Sequence, residues 1–308
     1  MAVDPVLERD LREAAFEFLD RRRADLAETS AGLLRYDDVT DFTFAGQRIA
    51  LRDRGRGIRW LPTTGTALSF LTKYAPDPSQ RPYADEEGPD GFLRYKWQGT
   101  SAEAADNRSM RAALRSGLPL IWFFGVAPAL YEAIYPVYLV AEEPEHRQFV
   151  VALDRYETIA WRDKGLYIEM GGRAYAERVT WQRLHQPLFR QRVLYAYERR
   201  CAVCRLRHPE LLDAAHIKSD RLGGEPVVTN GIAMCKIHHA AFDQQILGIR
   251  PDLALQVRSD ILREIDGPML VHGLQAFHGR SLTVPTQRRA RPDRALVEQR
   301  WNVFKQAG

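Results

Sequence analysis

The 308-residue chain has only three cysteines, and all of them fall between residues 201 and 235. So few thiols, gathered in one segment, exclude a disulfide framework and fit a reducing cytoplasm, the expected location. No apolar run of about 18 residues or more occurs, so a membrane-spanning helix is not expected, nor a membrane partner. The opening MAVDPVLERD is acidic and polar and lacks the apolar stretch of a secretion signal. No repeat at a period of roughly 20–50 residues is present, which argues against solenoids and propellers. Excess charge is also scarce. A net charge of +4 and a pI near 9.0 permit nucleic-acid binding without demonstrating it. The length suits two domains and a large core.

The chain is richest in chemistry from Cys201 to Asp243. Cys201 and Cys204 are separated by two residues, and Cys235 and His238 repeat that spacing. Two such knuckles supply four soft ligands, the set of a closed tetrahedral zinc site with no position left for water. The competing reading is a few thiols in an ordinary core, which two matched spacings in one short segment disfavour.

His216, in AAHI, and Asn230, in TNG, lie between the knuckles, and His239 follows the second. A histidine, an asparagine and a histidine interleaved with two zinc knuckles resemble the HNH family of nucleases. The resemblance implies a β-hairpin and a helix around one divalent ion, magnesium or manganese (the ββα-metal fold). It makes His216, at the end of the first strand, the general base that takes a proton from an attacking water. A near-neutral pKa suits histidine to that work. Asn230 would fix the loop and orient the His216 ring. His239 would bind the catalytic ion, with Asp243, four residues on along the same helix face, as a second ligand. One departure matters. Many members carry Asp or His directly before the base, and here that position is Ala215. The nearest carboxylate, Asp213, is three residues away, and strand alternation puts such residues on opposite faces. Asp213 is therefore expected to help only through an irregular backbone. A degenerate fold that binds DNA without cutting stays open.

Residues 1–35 read as a helical segment, with a helix over 4–26. Asp4 caps it, Pro5 suits its first position, and Leu7, Leu11, Phe18 and Leu19 form its apolar stripe. The arginines 21–23 read as a solvated face. Strand-like runs follow around Gly46 and at 66–73, 91–97, 119–125, 134–141 and 148–153. One helix, 102–115, ends at Gly117. Many short strands with one helix point to a closed, barrel-like sheet over 36–155. Residues 156–185 read as a linker, and 186–308 as the second domain. There, helices are expected at 187–199, 259–265, 269–278 and 292–306, and a strand at 253–257. The basic run Gln287–Arg291 reads as either a phosphate contact or a flexible linker.

Within the strand-rich region the order of motifs is informative. Tyr83, Asp85, Glu86, the Asp90-Gly91 turn, Tyr95, Gly99, Asn107-Arg108, Met110 and Gly117-Leu118-Pro119 resemble the SRA domain, a reader of methylated cytosine. Such a reader must reach every edge of its base, so the base is flipped from the duplex. By this resemblance Tyr83 and Tyr95 would stack on the flipped base. Glu86, with Asp85 behind it, would accept from the cytosine amino group. The loop of Arg54, Arg56, Arg59 and Trp60 would enter the groove. The tyrosines as barrel aromatics, and the acidic residues as a solvated loop, remain alternatives.

The combined expectation is an α+β chain: an SRA/PUA-like β-barrel followed by a zinc-stapled HNH nuclease. It would act on double-stranded DNA carrying 5-methyl- or hydroxymethylcytosine, the type IV restriction pattern. One HNH site cuts one strand, so a homodimer is expected on DNA. A sequence-specific HNH enzyme acting on unmodified DNA, a non-catalytic DNA-binding module, and a PUA-like reader of RNA or another modification are the rivals.

Overall fold

A computed structural model describes residues 5–30, 32–75, 90, 92–155, 157–158, 180 and 184–307. The chain divides into two compact units, Met1–His185 and Gln186–Gly308. Among the described residues no helix is long and apolar enough to cross a membrane.

The first unit opens with helix α1 (Pro5–Asp25). Its buried stripe is Leu11, Ala15 and Leu19, at the four-residue spacing of one helix face. Leu7, expected in that stripe, is exposed, and Phe18 instead meets Phe42 at the stripe's edge. Arg12 is fully buried on the same helix. Its guanidinium donates to the carbonyls of Pro119 (2.9 Å) and Ala67 (2.7 Å) and pairs with buried Glu8 at 3.2 Å. Removing either partner of such a pair would strand a buried charge, which fixes α1 on the sheet. Nor are residues 21–23 simply a solvated face. Arg22 pairs with Asp41, and Arg23 pairs with buried Glu132.

A small hairpin, β1 (Thr43–Phe44) with β2 (Gln47–Arg48), turns at Ala45 and Gly46, both left-handed. Six strands then form one sheet: β3 (Ile58–Trp60), β4 (Ala67–Thr72), β5 (Leu93–Lys96), β6 (Leu120–Ala127), β7 (Leu130–Glu143) and β8 (Gln148–Ala152). Their order is β3-β4-β6-β7-β8-β5, with only β4 and β6 parallel. All eight residues of β6 are buried, the mark of a strand covered on both faces. Helix α2 (Ala105–Ser116) packs on β4 and β7 and ends at left-handed Gly117, as expected. At Gly125 a Cβ would lie 2.2 Å from the Tyr74 backbone nitrogen, so only glycine permits that approach.

The sheet curls. Tyr95 on β5, at one end, lies against Phe70 on β4, near the other (4.6 Å between ring centroids). Its hydroxyl donates to the Leu71 carbonyl at 3.3 Å. The two ends thus meet through side chains. Among the described residues no ladder joins β5 to β3.

The second unit starts with α3 (Gln186–Ala196). Strands β9 (Leu212–His216) and β10 (Gly231–Cys235) form an antiparallel pair, followed directly by α4 (Lys236–Asp243). A second hairpin, β11 (Leu247–Ile249) and β12 (Leu255–Val257), short helices α5 (Ser259–Arg263) and α6 (Pro268–Gly273), and α7 (Arg294–Gln306) complete it. Helix α7 is capped by Asp293, whose carboxylate accepts from the amides of Ala295 and Leu296, so Pro292 lies outside the helix it was expected to start. One apolar core runs through Phe189, Val193, Cys201, Leu212, Ile232, Cys235, Phe242, Leu255 and Val297.

Candidate active site and metal centres

The four zinc-ligand candidates converge. The ligand atoms of Cys201, Cys204, Cys235 and His238 all lie within 4.8 Å of one another. Cys204 and Cys235 sulfurs are 4.0 Å apart, and His238 Nδ1 is 3.6 Å from Cys201 Sγ and 3.0 Å from Cys235 Sγ. A tetrahedral zinc with bonds of about 2.3 Å to sulfur and 2.0 Å to nitrogen needs edges of roughly 3.5–3.8 Å, so the residues fit the ion. Local structure explains the convergence. Cys201 and Cys204 flank a tight turn in which the Cys204 amide points at Cys201 Sγ (3.5 Å). Cys235 ends β10, and His238 falls in the first turn of α4. His238 Nε2 donates to the Gly273 carbonyl (2.8 Å), which directs Nδ1 at the thiols. Hydrogen bonds from Cys204 and Cys235 hold the Cys201 thiol well below its usual range.

A second constellation lies on the other side of α4. His239 sits between two carboxylates: its Nδ1 is 3.7 Å from Asp213 Oδ2, and its Nε2 is 3.2 Å from Asp243 Oδ2. The hydrogen bond to Asp243, aided by the charges of both aspartates, raises the His239 pKa. The hydrogen bond from His239 in turn lowers Asp243. Imidazole nitrogen and carboxylate oxygen together suit a hard or borderline divalent ion. The ring offers such an ion one nitrogen only, so one carboxylate could join the ion while the other orients the ring.

Asp213 reaches this place although alternation assigned it to the opposite face. The β9–β10 register is unbroken, so no bulge is responsible. Instead the buried positions of β9 are Leu212 and Ala215, three apart, leaving Asp213 and His216 both half-buried. A two-stranded ribbon coils more strongly than a wide sheet, and over three residues the twist defeats strict alternation. Arg190 of α3 approaches Asp213 at 3.8 Å and ties the start of β9 by donating to the Leu212 carbonyl.

His216 ends β9, opposite Gly231. Its ring stacks on Phe189 of α3, with centroids 4.0 Å apart. Burial pushes its pKa below the ordinary imidazole value; Asp220 and Asp243 oppose that shift, and His239 reinforces it. Asn230 is buried, and its amide closes the loop after His216. Its oxygen accepts from the Lys218 amide, and its nitrogen donates to the carbonyls of Lys218 and Glu225. Asn230 thus clamps the loop, while Phe189 holds the ring. Phe189 was missed by sequence reasoning. Its only signal is its place beside Leu188 in an amphipathic helix, which does not say what it faces.

Gly231 explains how closely this support is packed. A Cβ there would lie 2.4 Å from Val193 and 2.9 Å from the Phe189 ring. Gly231→Ala is expected to cost about 1–3 kcal/mol through overpacking. By displacing Phe189 it should also shift the His216 ring that stacks on it. Thermal unfolding checks the first effect, and the histidine ring resonances in NMR check the second.

The basic run before α7 forms a helical turn at Arg288–Ala290, and the Asp293 amide donates to Thr229 beside Asn230. Arg288, Arg289, Arg291 and Arg294 are exposed there.

In the first unit, Tyr83, Asp85 and Glu86 lie outside the described residues. Asp90 is paired with Arg94 (2.9 Å), which also meets Glu143. Tyr95 is 1% exposed inside the curl. In the loop, Asp53 accepts from the amides of Gly55 and Arg56, leaving Arg54 and Arg56 exposed. Arg59 donates to the Ala50 carbonyl, and Trp60 Nε1 to Asp106. Asn107 is fully buried and pins the turn at Gln98 and Ser101.

Residues 201–250 match the HNH endonuclease family HNH_2. No curated protein matches the chain. Two solved structures are similar in part. One is a "Modification dependent TagI restriction endonuclease", 17% identical over 76% of this chain and 80% of that one, with a TM-score of 0.29. The other is the "Type IV phosphorothioation-dependent restriction endonuclease ScoMcrA", 16% identical over 79% of this chain and 59% of that one, with a TM-score of 0.22. The family match falls on the segment whose strand, strand and helix gather His216, Asn230 and His239: residues 201–250 are an HNH endonuclease domain, and the protein is a metal-dependent nuclease.

Proposed function

We propose that the protein is a modification-dependent DNA endonuclease. The observation that carries the nuclease half is the meeting of Asp213, His239 and Asp243 at the end of the hairpin that presents His216. His216, neutral near pH 7, accepts the proton of the attacking water. Phe189 and the Asn230-clamped loop hold it in place. His239 and Asp243 bind magnesium or manganese, and Asp213, on the other ring nitrogen, orients His239. That ion, when bound, stabilises charge on the phosphate and on the leaving 3′ oxygen. The Cys201, Cys204, Cys235 and His238 zinc is structural, because four protein ligands leave no open position. The exposed arginines at 288–294 grip backbone phosphates close to the hairpin, and Arg190 secures Asp213.

The first unit is the reader. The motif order from Tyr83 to Pro119 supports an SRA-like pocket, and a curled sheet is a suitable frame for one. Tyr83, with Glu86 and Asp85, is assigned to the flipped base. Asp90 and Tyr95 shape the surrounding wall, and Arg54 and Arg56 contact the duplex, with Arg59 and Trp60 bracing their loop. The enzyme works as a homodimer on double-stranded DNA, one site for each strand. The test is cleavage of one plasmid prepared unmodified, 5-methylcytosine-modified and hydroxymethylcytosine-modified, each with magnesium and with manganese. Cutting confined to a modified plasmid is expected. Equal cutting of all three would leave a nuclease that ignores these modifications.

A further inference from the structure

Helix α7 lies wholly beyond residue 250, where the family match ends, yet it sends one side chain to the edge of the active site. Phe304 and Val297 anchor it. The Phe304 ring sits so close to β11 that a Cβ on Gly248 would approach it to 2.6 Å. One turn before Phe304, on the same face, is Arg300. Its guanidinium lies 4.5 Å over the Phe242 ring and donates to the Phe242 carbonyl at 2.8 Å. With the Gln245 amide turned so that its oxygen faces the fork, Arg300 also donates to that oxygen at 2.9 Å and 3.3 Å. The same Nη2 is 3.7 Å from Asp243 Oδ1, while the other oxygen of Asp243 faces His239.

Asp243 occupies an awkward position. It is the last residue of α4, at the partially negative end of the helix dipole, which disfavours a carboxylate. A cation with a fork of donors offsets that charge while it holds the Phe242 carbonyl and turns the carboxylate. The fork is already engaged by Phe242 and Gln245, so Arg300 is poorly placed to leave for a DNA phosphate. We propose that Arg300 is a positioning residue that acts through Asp243, setting the orientation of the Asp243–His239 pair and so the affinity for the catalytic ion. This rests on the reading of that pair as the ion site.

The test is a manganese titration of the full chain, with its structural zinc retained and without DNA, followed by electron paramagnetic resonance. Arg300→Gln is expected to weaken manganese binding by about 10- to 100-fold, as loss of a partner behind a metal ligand does. Zinc content and the circular dichroism of the fold should be retained, and in cleavage kcat should fall while KM for DNA stays unchanged. Arg300→Lys keeps the charge without the fork and should recover part of the loss. In an Asp243→Asn background, Arg300→Gln should add little further weakening. Unchanged manganese affinity in Arg300→Gln and Arg300→Lys, or losses that add in full with Asp243→Asn, would overturn the proposal while leaving the ion site intact. Wild-type protein that takes up no manganese would remove the ion site itself, and the role of Arg300 with it.

Discussion

His216→Ala should lower DNA cleavage by about 10²–10⁴-fold, the usual contribution of a positioned general base, while the Kd for DNA stays near its original value. The two effects separate because the ring packs on Phe189 and makes no phosphate contact in the proposed site, whereas the exposed arginines lie elsewhere. The pH profile offers a second view. Burial lowers the His216 pKa from its ordinary 6.5, so the ring is in its neutral, proton-accepting form throughout neutral pH. Cleavage should hold down to mildly acidic pH and fall only as pH drops through that lowered value. The acid limb assigned to His216 should vanish from the residual activity of the alanine variant. Undiminished cutting by His216→Ala would remove it as the base.

Loss of zinc from the proposed structural site at Cys201, Cys204, Cys235 and His238 should unfold the second unit. Zinc in small Cys/His sites is worth about 10–16 kcal/mol of apparent binding free energy, against a typical net domain stability of about 5–15 kcal/mol. The site is also not peripheral. Cys201 and Cys235 share one core with Leu212, Phe242, Leu255 and Val297, so the loss spreads through both hairpins and α7. Chelation at neutral pH, or Cys201→Ser, should abolish cooperative unfolding of residues 186–308 and expose them to protease. Metal analysis would show the zinc lost in parallel. A folded, protease-resistant, zinc-free variant would remove the structural role.

What sequence reading could reach was set by range. Each half of the zinc cluster is written in a spacing of three positions, so the pattern that names the ligands also builds the turn and the first helical turn that carry them. Five strands of the curled sheet were legible for a similar reason, since each is a short local run of aromatic and branched side chains; β3, which carries Arg59 and Trp60, was read as part of a loop. Partners far apart in the chain were not legible. Nothing near Phe189 announces His216, and nothing near Arg300 announces Asp243. Buried Arg12 was equally illegible, because its carbonyl partners at Ala67 and Pro119 lie far along the chain. Asp213 failed for a geometric reason: alternation assumes a flat strand, and a two-stranded ribbon is not flat.

The dependence of the nuclease on α7 also has a bearing on its biosynthesis. A ribosome delivers the first unit before the second, and domains tend to fold as units in the order they emerge. The HNH segment would then leave the tunnel with the Phe242 ring uncovered, the Gly248 approach empty and no arginine behind Asp243. Those gaps close only when the residues around 297–304 follow. A nascent chain would therefore complete its first unit well before it completed the nuclease site.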